Sequence, residues 1–160
     1  MSTSAETVAL RPATTQDVET VFAWRNSPFI VARGSFQKTV TWEEHLQWFR
    51  ETITGSQRRM LIVLVNGQPV GQVRFDRVDD DTMAISAYLI ETHTGRGLGV
   101  DAIRIGCEIL FDDLSVARVV ACVRQDNGAG RAGFSKAGFV PSEIRLCPAG
   151  HLTLELRRAS

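Results

Sequence analysis

The tightest constraint on this chain is a dipeptide, Asn66-Gly67, set between two apolar segments. A two-residue hairpin turn needs positive φ at both central positions, and asparagine and glycine are the residues that tolerate it. The segment before the turn, 60–65, reads Met-Leu-Ile-Val-Leu-Val. It is apolar and rich in β-branched residues. The predicted return strand runs from Pro69 to Val78. Asp79-Asp80-Asp81 then turns the chain again, and a third strand is predicted over about Met83 to Ile90. The middle of the chain is therefore an antiparallel meander.

The flanking segments add helices and further strands. Residues 7–12 read as a short first strand. Thr14 precedes a helical pattern carrying Val18, Val21, Phe22, Trp24 and Arg25, which ends at Asn26-Ser27-Pro28. A second helix opens at Thr41. Glu44, three residues on, completes a capping-box spacing, and Leu46, Trp48, Phe49 and Ile53 follow on or near one face. After the meander comes a glycine-rich loop, then a predicted helix from about Gly97 to Phe111 with Val100, Ile103, Cys107, Leu110 and Phe111 at helical spacing. Residues 116–123 read as a strand buried on both sides, paired in parallel with the strand before the loop. Asn127 begins a last helix that ends near Gly138, and two strands are expected near Phe139–Leu146 and His151–Leu156. The order is β-α-α-β-β-β-α-β-α-β-β: a mixed α/β (α+β), mostly antiparallel sheet of six to seven strands with about four helices. The 160 residues suit one domain, 1–160, with residues 1–6 expected to be flexible.

Composition narrows the function. Eighteen basic and eighteen acidic side chains balance, so there is no broad field to hold nucleic acid. No apolar run approaches the ~20 residues that span a bilayer, and residues 1–6 lack the apolar core of a signal peptide. Three cysteines, Cys107, Cys122 and Cys147, are odd in number and lack metal-type spacing. They are expected to be free thiols in a reducing, cytoplasmic setting, with no metal and no membrane partner.

Chemistry enters with Thr94-Gly95-Arg96-Gly97-Leu98-Gly99-Val100, which follows a strand and opens a helix. Glycines let backbone approach an anion, and a helix N-terminus offers unpaired N–H groups at the positive end of its dipole. A pyrophosphate is the natural guest. A P-loop would end in Gly-Lys-Ser/Thr, and a Rossmann loop would follow a first parallel unit; neither pattern is present. Downstream stands Asn127-x-x-Gly130-x-x-x-Phe134-x-Lys136-x-Gly138-Phe139. With the glycine loop, in this order and context, it resembles the GNAT superfamily of acyl-coenzyme A-dependent N-acetyltransferases across nearly the whole chain.

That resemblance implies a fold with two splayed central strands and acetyl-coenzyme A as co-substrate. It implies that residues 95–100 cradle the pyrophosphate with backbone N–H groups, with Thr94 at the head of the motif. Leu89 and Ile90 would pair main chain to main chain with the pantetheine arm, as an added strand does. Asn127 would touch the arm, Phe134 would pack near the sulfur, and Lys136 would face the nucleotide phosphates or solvent. Three positions depart from the family pattern. Thr94 replaces Gln or Arg, Gly130 replaces Ser or Ala, and Phe134 stands where many members carry a tyrosine that protonates the leaving thiolate. Cys122 stands where ribosomal-protein acetyltransferases of the family place a glutamate base. Candidate bases are His45, Asp126, His93 and Glu91.

For the acceptor, Trp24-Arg25-Asn26 together with Thr41-x-x-Glu44-His45-x-x-Trp48-Phe49 is similar to acetyltransferases of bacterial surface-sugar biosynthesis, the pseudaminic acid pathway type. These act on a nucleotide-linked aminosugar. Aromatic faces suit a sugar or base, and Arg25, Arg33 or Arg74 suits a diphosphate. The expected substrate-binding residues are Trp24, Arg25, Asn26, Trp48 and Arg74. The alternatives are a protein N-terminal acetyltransferase and a non-catalytic acyl-coenzyme A-binding module. A homodimer through the last strands is a further expectation of the resemblance.

Overall fold

The computed structural model describes residues 6–34 and 38–159; the expectation of flexibility for 1–6 falls, apart from Glu6, outside the described residues. Among the described residues the strands are β1 (Val8–Pro12), β2 (Arg58–Val65), β3 (Gln68–Arg77), β4 (Thr82–Leu89), β5 (Arg118–Arg124), β6 (Val140–Pro141) and β7 (His151–Arg157). They form one sheet in the order β1-β2-β3-β4-β5-β7-β6. All neighbours are antiparallel except β4 and β5, which run parallel as expected. The hairpin turn has Asn66 at φ 50° and Gly67 at φ 82°, the conformation its sequence predicts.

Among the described residues five α-helices cover the sheet: α1 (Val18–Asn26), α2 (Pro28–Arg33), α3 (Trp42–Thr54), α4 (Leu98–Asp113) and α5 (Gly128–Lys136). On one face, Val63, Val73, Phe75, Ile85, Val119 and Ala121 of the strands pack with Ala102, Ile103, Cys107 and Leu110 of α4 and Phe134 of α5. On the other face Met60 and Ile62 pack with Val21 and Phe49 of α1 and α3. Odd and even strand positions thus serve opposite faces.

Three expectations change. First, the chain does not simply leave α1 at Ser27-Pro28. Ser27 caps a new helix through Ile30 N–H (3.4 Å), and Pro28 takes the first turn, where its missing N–H costs nothing, so α2 forms. Second, the strand expected over 139–146 shrinks to Val140–Pro141. Pro141 has no donor for the ladder, and Ser142 Oγ accepts from Ile144 N–H (3.2 Å), bending the chain into a local turn. Third, Cys122 and Cys147 are joined by a disulfide, leaving Cys107 as the free cysteine. The expectation of three free thiols is corrected, because the irregular 142–150 segment folds back over β5. Burial pushes the Cys107 thiol up to about 12, with Glu108 adding to the effect.

Capping also redistributes. A full capping box closes at Thr14, whose N–H is accepted by Asp17 (2.8 Å) while Arg11 forks onto the same carboxylate (2.8 and 2.9 Å). At the expected box, Thr41 Oγ1 accepts from Glu44 N–H (3.2 Å), but the Glu44 carboxylate takes the Thr41 hydroxyl (3.0 Å) instead of the backbone.

Candidate active site

β4 and β5 pair only from Thr82–Ile85 to Arg118–Ala121. Beyond that, 86–89 stay with β3 and 122–124 stay with β7, but they no longer meet each other. A gap opens at the centre of the sheet. Along a strand, the main-chain groups of alternate residues turn to the same neighbour. Ile90 N–H donates to Val70 C=O (2.8 Å) and Ile90 C=O accepts from His93 N–H (3.0 Å), so its main chain is already engaged. Ala87 and Leu89 turn theirs toward the gap. Of the two residues expected to line the pantetheine arm, Leu89 turns its main chain to the gap, as Ala87 does, and Ile90 does not.

The gap leads to the N-terminus of α4. Gly95 and Gly97 have φ of 77° and 78°, and a Cβ added at either would meet nothing within 4 Å. Backbone conformation, not crowding, demands glycine there, and the surface above stays open. Gly97 is the N-cap, and no side chain caps the helix. The first-turn N–H groups of Leu98, Gly99 and Val100 and the dipole of a sixteen-residue helix point to that open surface. An anionic group fits this cradle. Neighbouring side chains shape it: the Thr94 hydroxyl donates to Glu91 C=O (2.8 Å), and Arg96 reaches back to Glu6 (3.0 Å) and Thr92 C=O (3.1 Å).

The second motif folds as a capped helix against the sheet. Asn127 caps α5, its Oδ1 accepting from Gly130 N–H (2.9 Å). A Cβ at position 130 would lie 2.5 Å from Asn127 Nδ2, so a serine or alanine there would require the Asn127 amide to shift. Phe134 is buried against Phe139, edge to face at 5.1 Å. Lys136 is exposed, and its carbonyl accepts from Arg104 (3.1 Å).

On the opposite face of the gap lies an arginine–aromatic cluster. Arg25 stacks on Trp48 at 4.2 Å from the ring centroid, and Arg74 and Arg58 approach the same ring at 5.1 and 6.0 Å. Asp76 is shared by Arg58 (3.2 Å) and Arg74 (3.1 Å). Among the described residues no carboxylate pairs with Arg25. Three guanidiniums and one carboxylate leave a local positive excess, and burial, then Arg74, lowers the Arg25 pKa. A cleft of about 720 Å³ adjoins them, lined by Trp48, Glu51, Arg58, Arg74, Asp76 and Arg77. Trp24 meets Tyr88 edge to face at 6.3 Å. The Tyr88 hydroxyl and Gln72 Oε1 are buried, and among the described residues neither has a hydrogen-bond partner. Burial holds the Tyr88 hydroxyl well above the usual phenol range, so it is a neutral donor.

The expected bases and contacts scatter. His45 is fully buried. Nε2 lies 2.8 Å from Val18 C=O, and Nδ1 lies 3.1 Å from Arg25 Nη1. A carbonyl can only accept and a guanidinium can only donate, so the ring is neutral with its proton on Nε2. Neither nitrogen is free for a substrate amine. Asp126 is exposed and pairs with Arg124 (2.7 Å), which also bonds Ala32 C=O (3.1 Å). His93 and Glu91 sit on the exposed turn after β4. None of the four lines the cleft. Asn26 is also committed: its amide both donates to and accepts from the main chain of Val40 (2.9 and 2.8 Å). Arg33 folds onto Phe29 of its own helix, 3.6 Å from the ring centroid. The residues not foreseen, Gln72, Asp76, Arg58 and Tyr88, carried a readable signal. Polar side chains at 72, 74 and 76 alternate with Val73 and Phe75, which marks a polar face on a central strand.

The acetyltransferase (GNAT) domain family model matches residues 7–140. The chain belongs to this family and is an acetyltransferase; acetyl-coenzyme A is the donor of that class. Acetyltransferase PseH of Campylobacter jejuni is 28% identical over 114 residues, covering 70% of this chain and 69% of the relative. Aminoglycoside N(6')-acetyltransferase type 1 of Klebsiella pneumoniae is 23% identical over 165 residues, covering 94% of this chain and 82% of the relative. Among solved structures, AAC(6')-Ib in complex with ribostamycin and coenzyme A superposes with a TM-score of 0.83 at 22% identity, over 94% of this chain and 93% of that one.

Proposed function

We propose that the protein transfers an acetyl group directly to the primary amine of a small, anionic acceptor, a nucleotide-linked aminosugar. The observation that carries this reading is the arginine–tryptophan cleft on the acceptor face of the split sheet. Arginine in excess over carboxylate suits a diphosphate, and the Trp48 face suits a base or sugar ring. The similarity to PseH supports the same class. An aminoglycoside is polycationic, and three guanidiniums around Trp48 disfavour it. An extended peptide is disfavoured by the missing glutamate and tyrosine at Cys122 and Phe134.

Bound in the gap, acetyl-coenzyme A supplies an activated thioester. Leu89 and Ala87 orient it along the edge of β4, and the N–H groups of residues 98–100 hold its pyrophosphate. Arg74, which lines the cleft, and Arg25, stacked on Trp48 beside it, anchor the acceptor. A lysine-like amine of pKa near 10.4 costs about 4.6 kcal/mol to deprotonate at pH 7. None of the four expected bases lines the cleft, and of its two carboxylates Asp76 is held by Arg58 and Arg74 while Glu51 is exposed; the amine proton passes to solvent, and the departing thiolate, of pKa about 8.5, takes one from solvent. The test measures thiol release with acetyl-coenzyme A and a panel of UDP- and dTDP-linked aminosugars, aminoglycosides and peptides. Turnover confined to nucleotide-linked aminosugars supports the reading; preference for aminoglycosides or peptides overturns it.

A further inference from the structure

His45 is the best-placed side chain with no assigned role. It stands inside an aromatic shell of Phe22, Trp42, Trp48 and Phe49, with ring centroids at 5.2, 6.0, 6.0 and 5.6 Å. Its two nitrogens bridge α1 to the cluster: Nε2–H donates to the Val18 carbonyl, and the Nδ1 lone pair accepts from Arg25. The Arg25 guanidinium, tied at one edge, is held 4.2 Å over the Trp48 ring beside Arg74. Among the described residues the half-buried Arg25 has no carboxylate partner and stands next to another guanidinium; the Trp48 face, the charge of Glu44 and the neutral His45 acceptor hold it there, and an anion would complete it.

We propose that His45 is a positioning residue: its neutral form holds Arg25 across Trp48, so that Arg25 and Arg74 make a preformed subsite for the anionic group of the acceptor. The proposal rests on the acceptor reading above. Protonation of His45 converts Nδ1 into a donor that faces a donor. The hydrogen bond to Arg25 is lost, two cations face each other, and Arg25 leaves the stack. The groups that face this pair are Arg25 on α1, Glu44 on α3, Arg74 on β3 and Tyr88 on β4; Arg58 and Asp76 complete the surround of Trp48. Burial first, opposed by the Val18 bond, and then Arg25 hold the imidazole below its ordinary range, so the subsite is intact at neutral pH and opens only in acid.

The experiment uses the full chain with coenzyme A saturating, so that the α4 cradle is filled. Two probes keep constant charge between pH 8 and 5: inorganic sulfate, and UDP-glucose, which lacks an amine. Binding is read from the indole signal of Trp48 by NMR, and the His45 ring nitrogens are titrated in the same samples. Expected results are an Nε2–H tautomer, binding at pH 8 that weakens at least tenfold as His45 protonates, and a higher titration midpoint for His45 in Arg25→Gln. His45→Asn, whose amide oxygen can accept from Arg25 but does not titrate, is expected to keep binding across the range, while His45→Leu weakens it at every pH with coenzyme A affinity unchanged. An Nδ1–H tautomer, no sulfate binding at pH 8, or pH-independent binding in the wild type overturns the proposal. Acid-sensitive sulfate binding without UDP-glucose binding leaves the subsite standing and removes the nucleotide from the acceptor reading.

Discussion

Reducing the Cys122–Cys147 bond is the perturbation whose size follows most directly from the structure. The bridge closes a loop with a sequence separation of 25. The loop-closure entropy lost from the unfolded chain corresponds to about 3.5 kcal/mol at 25 °C, a chain-entropy figure that native-state relaxation lowers. With a urea slope of about 2 kcal/mol per molar for a chain of this size, the unfolding midpoint should fall by up to about 1.75 M. Cys147→Ser should reproduce the shift without reductant. Buried Cys107, with its thiol pushed up to about 12, should neither exchange nor react while the protein is folded. The effect on function should be one-sided. Ala121 faces the α4 side of the sheet, so Cys122, the next residue, faces the acceptor side, one position past the last β4–β5 pair. Freeing the 142–150 segment should raise KM for the acceptor and leave coenzyme A affinity nearly untouched. Urea titrations with and without dithiothreitol, and thiol alkylation of the non-reduced, denatured protein, check this. Three alkylated cysteines, or a midpoint that moves by less than about 0.3 M, would refute the bridge as a structural tie.

Other perturbations separate the two halves of the site. Gly97→Ala places a Cβ over the α4 cradle at positive φ; it should cost about 1 kcal/mol of stability and lower coenzyme A affinity at least tenfold, measured by calorimetry, and equal affinity would misplace the cradle. Gly71→Ala drives a Cβ to 2.2 Å from Tyr88 C=O and 2.9 Å from Leu89 Cα, so it should push β3 off β4, cost about 1–3 kcal/mol and weaken coenzyme A binding through Leu89; an unchanged melting temperature contradicts the register. Asn26→Ala strips both main-chain bonds of Val40 and should destabilise by about 1–3 kcal/mol, whereas a KM effect at unchanged stability would return Asn26 to the substrate. Acid unfolding should come in two stages. His45 has a depressed folded pKa, so its contribution is complete above the ordinary imidazole range, near pH 6.5, and is lost as pH falls below it. Asp17, held low chiefly by its bonds from Arg11, keeps its contribution until pH falls below the ordinary carboxylate range. Stability of His45→Leu and Asp17→Asn against pH checks each stage, and a wild-type profile flat from pH 7 to 5 removes the first.

What was legible beforehand depended on local chemistry. Asn66-Gly67 admits one turn, the apolar run at 60–65 admits a strand, and glycines at 95 and 97 need positive φ wherever they fold. The parallel return of β5 followed from the connection, because a helix crossing one face brings the next strand back in the same direction. What was not legible depended on encounters between distant residues. Nothing local distinguishes Cys122 and Cys147, bonded, from Cys107, free. Val40 is an ordinary residue until Asn26, fourteen positions earlier, grips its main chain. Ser27-Pro28 ends one helix and starts the next with the same two residues, so a reading that stops at the first function misses the second.

His45 shows the same limit at the site. As a residue type among tryptophans it satisfied every requirement for a base except access, and access is a property of neighbours. Val18 and Arg25 take its two nitrogens, and four aromatic rings exclude water. Its place on α3 beside Trp42, Trp48 and Phe49 qualified it; burial in that shell first, and then Arg25, lower its pKa while the same neighbours remove it from the reacting amine. Its chemistry is then transmitted only through Arg25, as geometry. A residue that titrates without touching substrate should move KM with pH and leave kcat on bound substrate alone. That split distinguishes the buried link from the base that the sequence suggested.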